Sequence, residues 1–374
     1  MSCLPEPDPR PTRKISCLVP FAALILAGLA FLLFHGKRQP PGGREPARAE
    51  LPAPAPAPDI RLQFPVDREF PAPESEYPRL FQPSASGRPE SALYGSTRTR
   101  LTSKKRVVSS FHEGIDIRAA ERDARGRPRD PVLAAADGVV AYLNRHPGNS
   151  NYGIYAVLRH KDRLGDVFTL YAHLSELAPG LAAGDSVKAG AAIGRIGNTP
   201  AHIIQRANAH LHFEVAFMLN TRFIQWHRKQ KLVPDHGNMH GWNLVGLDPL
   251  ELLLRFAAEP EFTLAEHVRE LVPAFHLVLR SRGQIDFFER HPALWSGEPY
   301  VGGVMFLAVS ENGMPVSGRN AAPGEASRLG KARAVVSEVN TAALGRNGAH
   351  LVERGNGGWK LSGSGKKWLD ILEY

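Results

Sequence analysis

The stretch Asn208-Ala209-His210-Leu211-His212-Phe213-Glu214-Val215 decides the fold. Apolar Leu211, Phe213 and Val215 alternate with His210, His212 and Glu214, which is the period of a β-strand. Side chains two apart on a strand point to one face. His210 and His212 therefore stand side by side, about 7 Å apart along the chain. That spacing suits one metal ligand and one neighbour acting on water held by the metal. Two half-buried polar histidines would show the same pattern. A second cluster, about a hundred residues earlier, favours the metal.

In Ser110-Phe111-His112-Glu113-Gly114-Ile115-Asp116-Ile117 the alternation returns. His112, Gly114 and Asp116 share one face, and Ile115 and Ile117 share the other. A histidine and a carboxylate with glycine between them leave room for an ion. One histidine from 210–212 completes a set of two nitrogens and one oxygen, which suits a catalytic zinc with its fourth position open to water. Glu113 is expected to point away from the metal. No His-Glu-x-x-His helix occurs, so the helical zinc-protease scheme does not apply.

Between the clusters the chain reads as short strands bounded by turns. Pro131 to Tyr142 reads as two strands around an Asp137-Gly138 turn. Tyr152 to His160 and Val167 to Leu174 alternate as strands, with His173 near the end of the second. Gly184 to Gly190 and Ile193 to Gly197 are short, glycine-bounded pieces. Regular short strands argue for a sheet sandwich or barrel.

Taken in order, the motifs are His112-x-x-x-Asp116, Ala134 to Val140, Tyr171-Ala172-His173-Leu174-Ser175, Gly184 to Gly190, Gly197-Asn198-Thr199 and His210-Leu211-His212-Phe213-Glu214. Together they resemble the lysostaphin-type (LytM-like) zinc metallopeptidases that cut bacterial cell-wall peptides. The resemblance covers about residues 92–217, and Leu93 to Arg98 is similar to the family's opening strand. It implies a mainly antiparallel β fold with one zinc per chain. Carried residue by residue, it makes His112, Asp116 and His212 the ligands and His173 and His210 the catalytic histidines. Zinc would lower the pKa of its bound water to about 7. A neutral imidazole accepts a proton and an imidazolium donates one, so His210 and His173 can serve as general base and oxyanion partner in either order. The loop from Gly197 to His210 is longer than usual for the family, as is the charged segment from Asp116 to Pro131. Residues 218–246 form a further insertion, with Asp235, His236 and His240 read as ordinary loop residues.

Beyond residue 256 the resemblance stops. Thr263 to Glu266 is a capping box opening a helix. Residues 264–283 have helical spacing interrupted by Pro273. Tyr300 to Val309 reads as a strand, Ser317 to Gly324 as a loop and Glu325 to Leu344 as a helix. Ala349 to Glu353, Gly358 to Leu361 and Gly365 to Tyr374 read as strand, strand and helix. This is a small α+β domain of unassigned role, with a loose likeness to a winged helix.

The whole chain has 374 residues, 43% hydrophobic and 22% charged, with net charge +9. That balance suits an anionic polymer such as cell wall, and no nucleic-acid motif accompanies it. Cys3 and Cys17 are the two cysteines. Beyond them the chain has no disulfide, thiolate metal site or cysteine nucleophile. The basic tail 1–14 precedes residues 15–34, an uncharged run of transmembrane length. Cys17 opens that run and no close cleavage site follows it, so it reads as an uncleaved anchor. A Pro-rich linker is expected over 35–75, a zinc peptidase domain over 76–255 and the α+β domain over 256–374.

The expectation is a single-pass, extracytoplasmic zinc endopeptidase that hydrolyses peptide cross-links of peptidoglycan. A protein regulator is a possible partner and no nucleic acid is expected. Two rivals stand beside it. One is a non-catalytic wall-binding or amidase-activating protein on the same fold. The other is a scaffold led by its C-terminal domain.

Overall fold

The computed structural model describes residues 58–101, 107–281 and 283–374. The basic tail, the apolar run 15–34 and most of the expected linker lie outside the described residues. Among the described residues no helix is long and apolar enough to cross a membrane.

The structure is mainly antiparallel β. A first hairpin, β1 (Thr97–Leu101) and β2 (Val107–Phe111), stands apart as its own two-stranded sheet. The main sheet has nine strands: β3 (Ile115–Arg118), β4 (Pro131–Leu133), β5 (Gly138–Asn144), β6 (Ile154–Asp162), β7 (Gly165–Leu177), β8 (Ser186–Val187), β9 (Ala192–Ile196), β10 (His210–Met218) and β11 (Leu244–Leu247). Its path runs β11-β10-β7-β6-β5-β8. Off that path β3 pairs with β10, and β9 pairs with both β7 and β4.

β10 is the hub. It is buried along its whole length and pairs with β3, β7 and β11. Leu211, Phe213, Val215 and Phe217 enter the large core. Ala216 and Met218, of opposite parity, join a second cluster with Tyr155, Phe168, Leu170 and Ala172. The alternation read from the sequence thus sends two faces of one strand to two different environments. Register then does what periodicity cannot. It sets His212 opposite Asp116 of β3 on one side and opposite Ala172 of β7, next to His173, on the other.

Asp137-Gly138 is not a hairpin turn. β4 pairs with β9, whereas β5 pairs with β6 and β8. Gly138 is needed for close approach: a Cβ there would meet His160 Nδ1 at 2.6 Å and the Arg159 carbonyl oxygen at 2.8 Å. The packed structure also starts earlier than the expected end of the linker at residue 75. Ile60, Leu62, Phe64 and Val66 are buried. Their backbone is tied in, with Gln63 N donating to Ala135 O (2.8 Å) and Leu133 N to Pro65 O (2.9 Å). Apolar residues alternating among the prolines bury surface that a solvated spacer would expose.

The helices are short: α1 (Tyr77–Leu80), α2 (Phe223–Lys229) in the insertion, α3 (Pro249–Ala258), α4 (Leu264–Glu270), α5 (Asp286–Arg290), α6 (Pro323–Ser327) and α7 (Gly363–Leu372). Asp248 caps α3 by accepting from Leu250 N and Glu251 N, and Thr263 and Glu266 form the expected capping box of α4. After Pro273 the expected helical pattern gives way to β12 (Phe275–Ser281). It joins β13 (Gly303–Val309), β14 (Pro315–Asn320) and β15 (Ala334–Val339) in a four-stranded sheet ordered β14-β13-β12-β15. The expected loop at 317–324 is therefore partly strand, and the expected helix over 325–344 is mostly turn and strand. Val336 fills a core position beside Leu277 there, so tertiary packing overrides local helical spacing. A last hairpin, β16 (Val352–Gly355) and β17 (Gly358–Leu361), precedes α7 as read. The arrangement is α+β and not a winged helix.

The C-terminal region meets the β6–β7 hairpin at His291. Its Nδ1–H donates to Leu164 O (2.7 Å), and its ring packs edge-on to Phe217 at 5.0 Å. Gly165 makes room, since a Cβ there would meet Arg290 O and His291 Nδ1 at 2.7 Å. Burial pushes His291 down to about 4 from 6.5. Below pH 6.5 the unfolded chain binds a proton that the folded chain refuses. The contribution is full above pH 6.5 and is lost as pH falls toward 4, to a limit of roughly 3 kcal/mol. Denaturant melts of His291→Asn should therefore show a flatter fall in stability between pH 7 and 4.5 than the parent. Parallel pH curves would disprove the assignment.

Candidate metal centre

Three side chains from two strands and the turn before them converge. His112 follows β2, Asp116 is on β3 and His212 is on β10. His112 Nε2 stands 3.1 Å from Asp116 Oδ1 and 3.1 Å from His212 Nδ1, and His212 Nδ1 stands 2.9 Å from Asp116 Oδ1. Ligands about 2.0–2.1 Å from a tetrahedral zinc lie roughly 3.3 Å apart. The triangle is therefore nearly one face of such a tetrahedron. All three residues are buried, and this is the one group of its kind among the described residues.

The far side of each ring fixes which nitrogen faces inward. His112 Nδ1–H donates to Leu93 O (2.9 Å), leaving Nε2 as the lone-pair atom. His212 Nε2–H donates to Glu214 Oε1 (2.8 Å), which also accepts from Tyr152 OH (2.7 Å). Such outer contacts are what orients metal-ligating histidines. Burial pushes His112 down to about 4. Burial also opposes charge on His212, yet its bonds to Asp116 and Glu214 outweigh this and push it up to about 9. Burial resists ionisation of Asp116 too, but His210, Arg98 and His112 hold its carboxyl well below the usual range. The centre thus calls for positive charge. A proton on His212 can supply it, and a divalent ion supplies it with release of that proton. The donor set fits a small divalent metal.

His210 and His173 border the triangle. Their rings lie 4.9 Å apart, and the His173 ring is 5.7 Å from that of His212. His210 Nδ1–H donates to Asn208 O (2.7 Å), and His173 Nδ1–H donates to Thr199 O (2.8 Å). Both neutral rings therefore present Nε2 as an acceptor. His210 Nε2 is buried without a hydrogen-bond partner and lies 3.5 Å from Asp116 Oδ2. Burial lowers both histidines; for His173 the neighbouring His210 and His212 lower it further.

His173 adopts left-handed backbone, φ 63°, at an irregularity in β7. A non-glycine residue in that region marks a backbone held by its surroundings. His173 N donates to Tyr152 O (2.9 Å), and Gly197 packs against the same bend. A Cβ at Gly197 would meet Ser175 N at 2.2 Å.

All five histidine and aspartate positions read from the motifs come together here. Glu113 makes none of these contacts; burial first, then the charge of Glu214, raises its carboxyl to about 7. In the insertion His236 is engaged at both nitrogens, by Tyr142 OH (3.0 Å) and Asn149 O (3.2 Å), and Asp235 pairs with Arg228. Sequence reasoning missed Arg98, whose Nη2 donates to Asp116 Oδ2, and the pair Tyr152 and Glu214. Glu214 did carry a signal, since it follows His210 and His212 on one strand face. Glu214→Gln weakens the acceptor for His212 Nε2–H and should lower metal affinity about 10–100-fold. Competition with a chromophoric chelator measures this, and unaltered affinity would show that Glu214 does not orient the ligand.

Residues 110–224 match the family model described as Peptidase family M23. None of the curated proteins compared matches the chain. Among solved structures, a zinc-containing peptidase from Vibrio cholerae is 25% identical, over 42% of this chain and 37% of that one, with a TM-score of 0.27. This chain thus spans little more than a third of that peptidase. The catalytic domain of lysostaphin from Staphylococcus simulans is 22% identical, over 43% of this chain and 89% of that one, with a TM-score of 0.26. The catalytic domain of the prophage-encoded M23 protein EnpA from Enterococcus faecalis is 21% identical, over 32% of this chain and 78% of that one, with a TM-score of 0.22. The segment that resembles peptidase family M23 contains the three converging side chains and both flanking histidines.

Proposed function

We propose that the chain is a zinc-dependent endopeptidase that hydrolyses peptide cross-links of bacterial peptidoglycan. His112, Asp116 and His212 hold the metal, and residues 15–34 anchor the chain with the catalytic region outside the cytoplasm. The observation that carries the reading is the convergence of two inward imidazole nitrogens and one carboxylate oxygen beside two further histidines with free Nε2 atoms. Zinc in this position supplies an acidified water and a Lewis acid for the scissile carbonyl.

The chain's own residues do the rest. His210 Nε2 accepts the proton of the attacking water, and the imidazolium so formed is stabilised by Asp116 Oδ2 at 3.5 Å. That proton is then given to the leaving amine. His173 Nε2 accepts a hydrogen bond from the same water and orients it. The Asn208 and Thr199 carbonyls keep both rings in the required tautomer.

The test is direct. Purified protein is assayed for metal, then incubated with purified peptidoglycan with and without a chelator, and the products are resolved by mass. One zinc per chain and chelator-sensitive release of peptides is the expected result. Zinc with no cleavage would instead favour a non-catalytic wall-binding or amidase-activating protein. No zinc would overturn the ligand set.

A further inference from the structure

Two segments longer than the resemblance leads one to expect meet beside the candidate site. Residues 119–130 join β3 to β4 and carry Arg122, Arg125, Arg127 and Arg129. Residues 197–209 join β9 to β10. Arg122 locks them together, its Nη1 donating to Arg206 O (2.9 Å) and its Nη2 to Ala207 O (3.1 Å). Arg206 Nη1 returns a bond to Arg125 O (3.2 Å). Asp123 folds the first loop by accepting from Arg125 N and Arg127 N, both at 2.9 Å.

Between these loops and the end of β7 lies a groove of about 590 Å³. Four arginines line it, Arg127, Arg129, Arg195 and Arg206, against two carboxylates, Asp123 and Glu176. Both carboxylates are already matched, Asp123 by Arg127 (2.6 Å) and Glu176 by Arg195 (3.0 Å). Arg129 and Arg206 have no carboxylate partner among the described residues, and both are exposed. The groove adjoins the reacting groups through the chain itself. Ser175, on its wall, is two residues past His173, about 7 Å of strand. Asn198, also on its wall, precedes the Thr199 that holds His173. Arg206 lies two residues before the Asn208 that holds His210.

We infer that this groove is a carboxylate subsite, which selects peptide substrates bearing a free side-chain or terminal carboxylate next to the scissile bond. The inference rests on the peptidase reading and names its substrate class. A guanidinium fork matches a carboxylate with two parallel bonds; Arg129 and Arg206 have no carboxylate partner among the described residues, and the one bond from Arg206 Nη1 to Arg125 O leaves its other N–H groups to receive one. The lengthened loops then have a role. They bring Arg129 and Arg206, far apart in sequence, to one groove whose walls continue into the segments that hold His173 and His210.

The test uses the full-length chain and purified peptidoglycan in two forms, native and with its carboxyls converted to carboxamides by a carbodiimide and ammonia. Binding is read by co-sedimentation and cleavage by mass. The native form should bind about tenfold more tightly, with the difference in cleavage falling in KM and not kcat. In the double variant Arg129→Ala/Arg206→Ala the native-to-amidated ratio should fall to near one, and double replacement by lysine should restore part of it. Equal binding of both forms by the parent chain would overturn the subsite. So would a double variant that keeps the parent ratio. If the parent chain binds the native form preferentially but cleaves neither, the subsite stands and the peptidase reading fails.

Discussion

His210→Ala is expected to lower the rate of peptidoglycan cleavage about a thousandfold, the usual scale for loss of a positioned acid–base group. That factor corresponds to roughly 4 kcal/mol of transition-state stabilisation. Zinc content should stay at one per chain. The physical reason is the separation of tasks on β10. His212 points Nδ1 into the triangle with His112 and Asp116, whereas His210 points Nε2 past it, 3.5 Å from Asp116 Oδ2 and with no hydrogen-bond partner. A buried imidazole nitrogen costs free energy unless something occupies its lone pair. The reacting water is the natural occupant. His173→Ala should behave alike, because its neutral ring is held in the same tautomer by Thr199 O. Metal analysis alongside the rate decides the matter: loss of zinc in His210→Ala would move His210 into the ligand set.

His212→Ala is expected to abolish both zinc binding and cleavage. Two losses coincide. The metal loses one of three protein ligands. The buried carboxylates of Asp116 and Glu214 also lose the ring that bridges them, at 2.9 and 2.8 Å. Asp116 keeps Arg98 and Glu214 keeps Tyr152 OH, but each buried carboxyl group loses a close hydrogen-bond partner, and that loss is costly in a folded chain. The variant should therefore melt lower than the zinc-loaded parent and lack the zinc-dependent rise in Tm that the parent shows after chelation and reloading. Returning zinc should restore cleavage to the chelated parent and not to the variant. Stoichiometric zinc in His212→Ala would sink the proposed coordination.

How much of this was open to a reader of the sequence depends on distance along the chain. His210, His212 and Glu214 share a face because strands alternate, and that was legible from six residues. The capping box at Thr263 and Glu266 was legible for the same reason: the atoms that bond are three residues apart. Asp137-Gly138 misled because a turn signal says nothing about which strands pair, and β4 and β5 take different partners. The C-terminal sheet misled because β12 and β15 contain apolar residues whose spacing also fits a helix. Pairing with each other, and of β12 with β13, settled it.

The amino-acid order by itself determined the mainly β character, and the resemblance carried by its motifs singled out the five side chains and the two lengthened loops. The tertiary structure alone decided which atoms face inward. The β10–β3 register set His212 against Asp116, almost a hundred residues away. Leu93 O, Thr199 O and Asn208 O chose the tautomers of three histidines. Backbone carbonyls are the same at every residue and leave no mark in a sequence. Arg129 and Arg206 likewise came to one groove only through the hydrogen bonds that lock their loops together. Side-chain chemistry is written locally, but its direction comes from groups brought near by the fold.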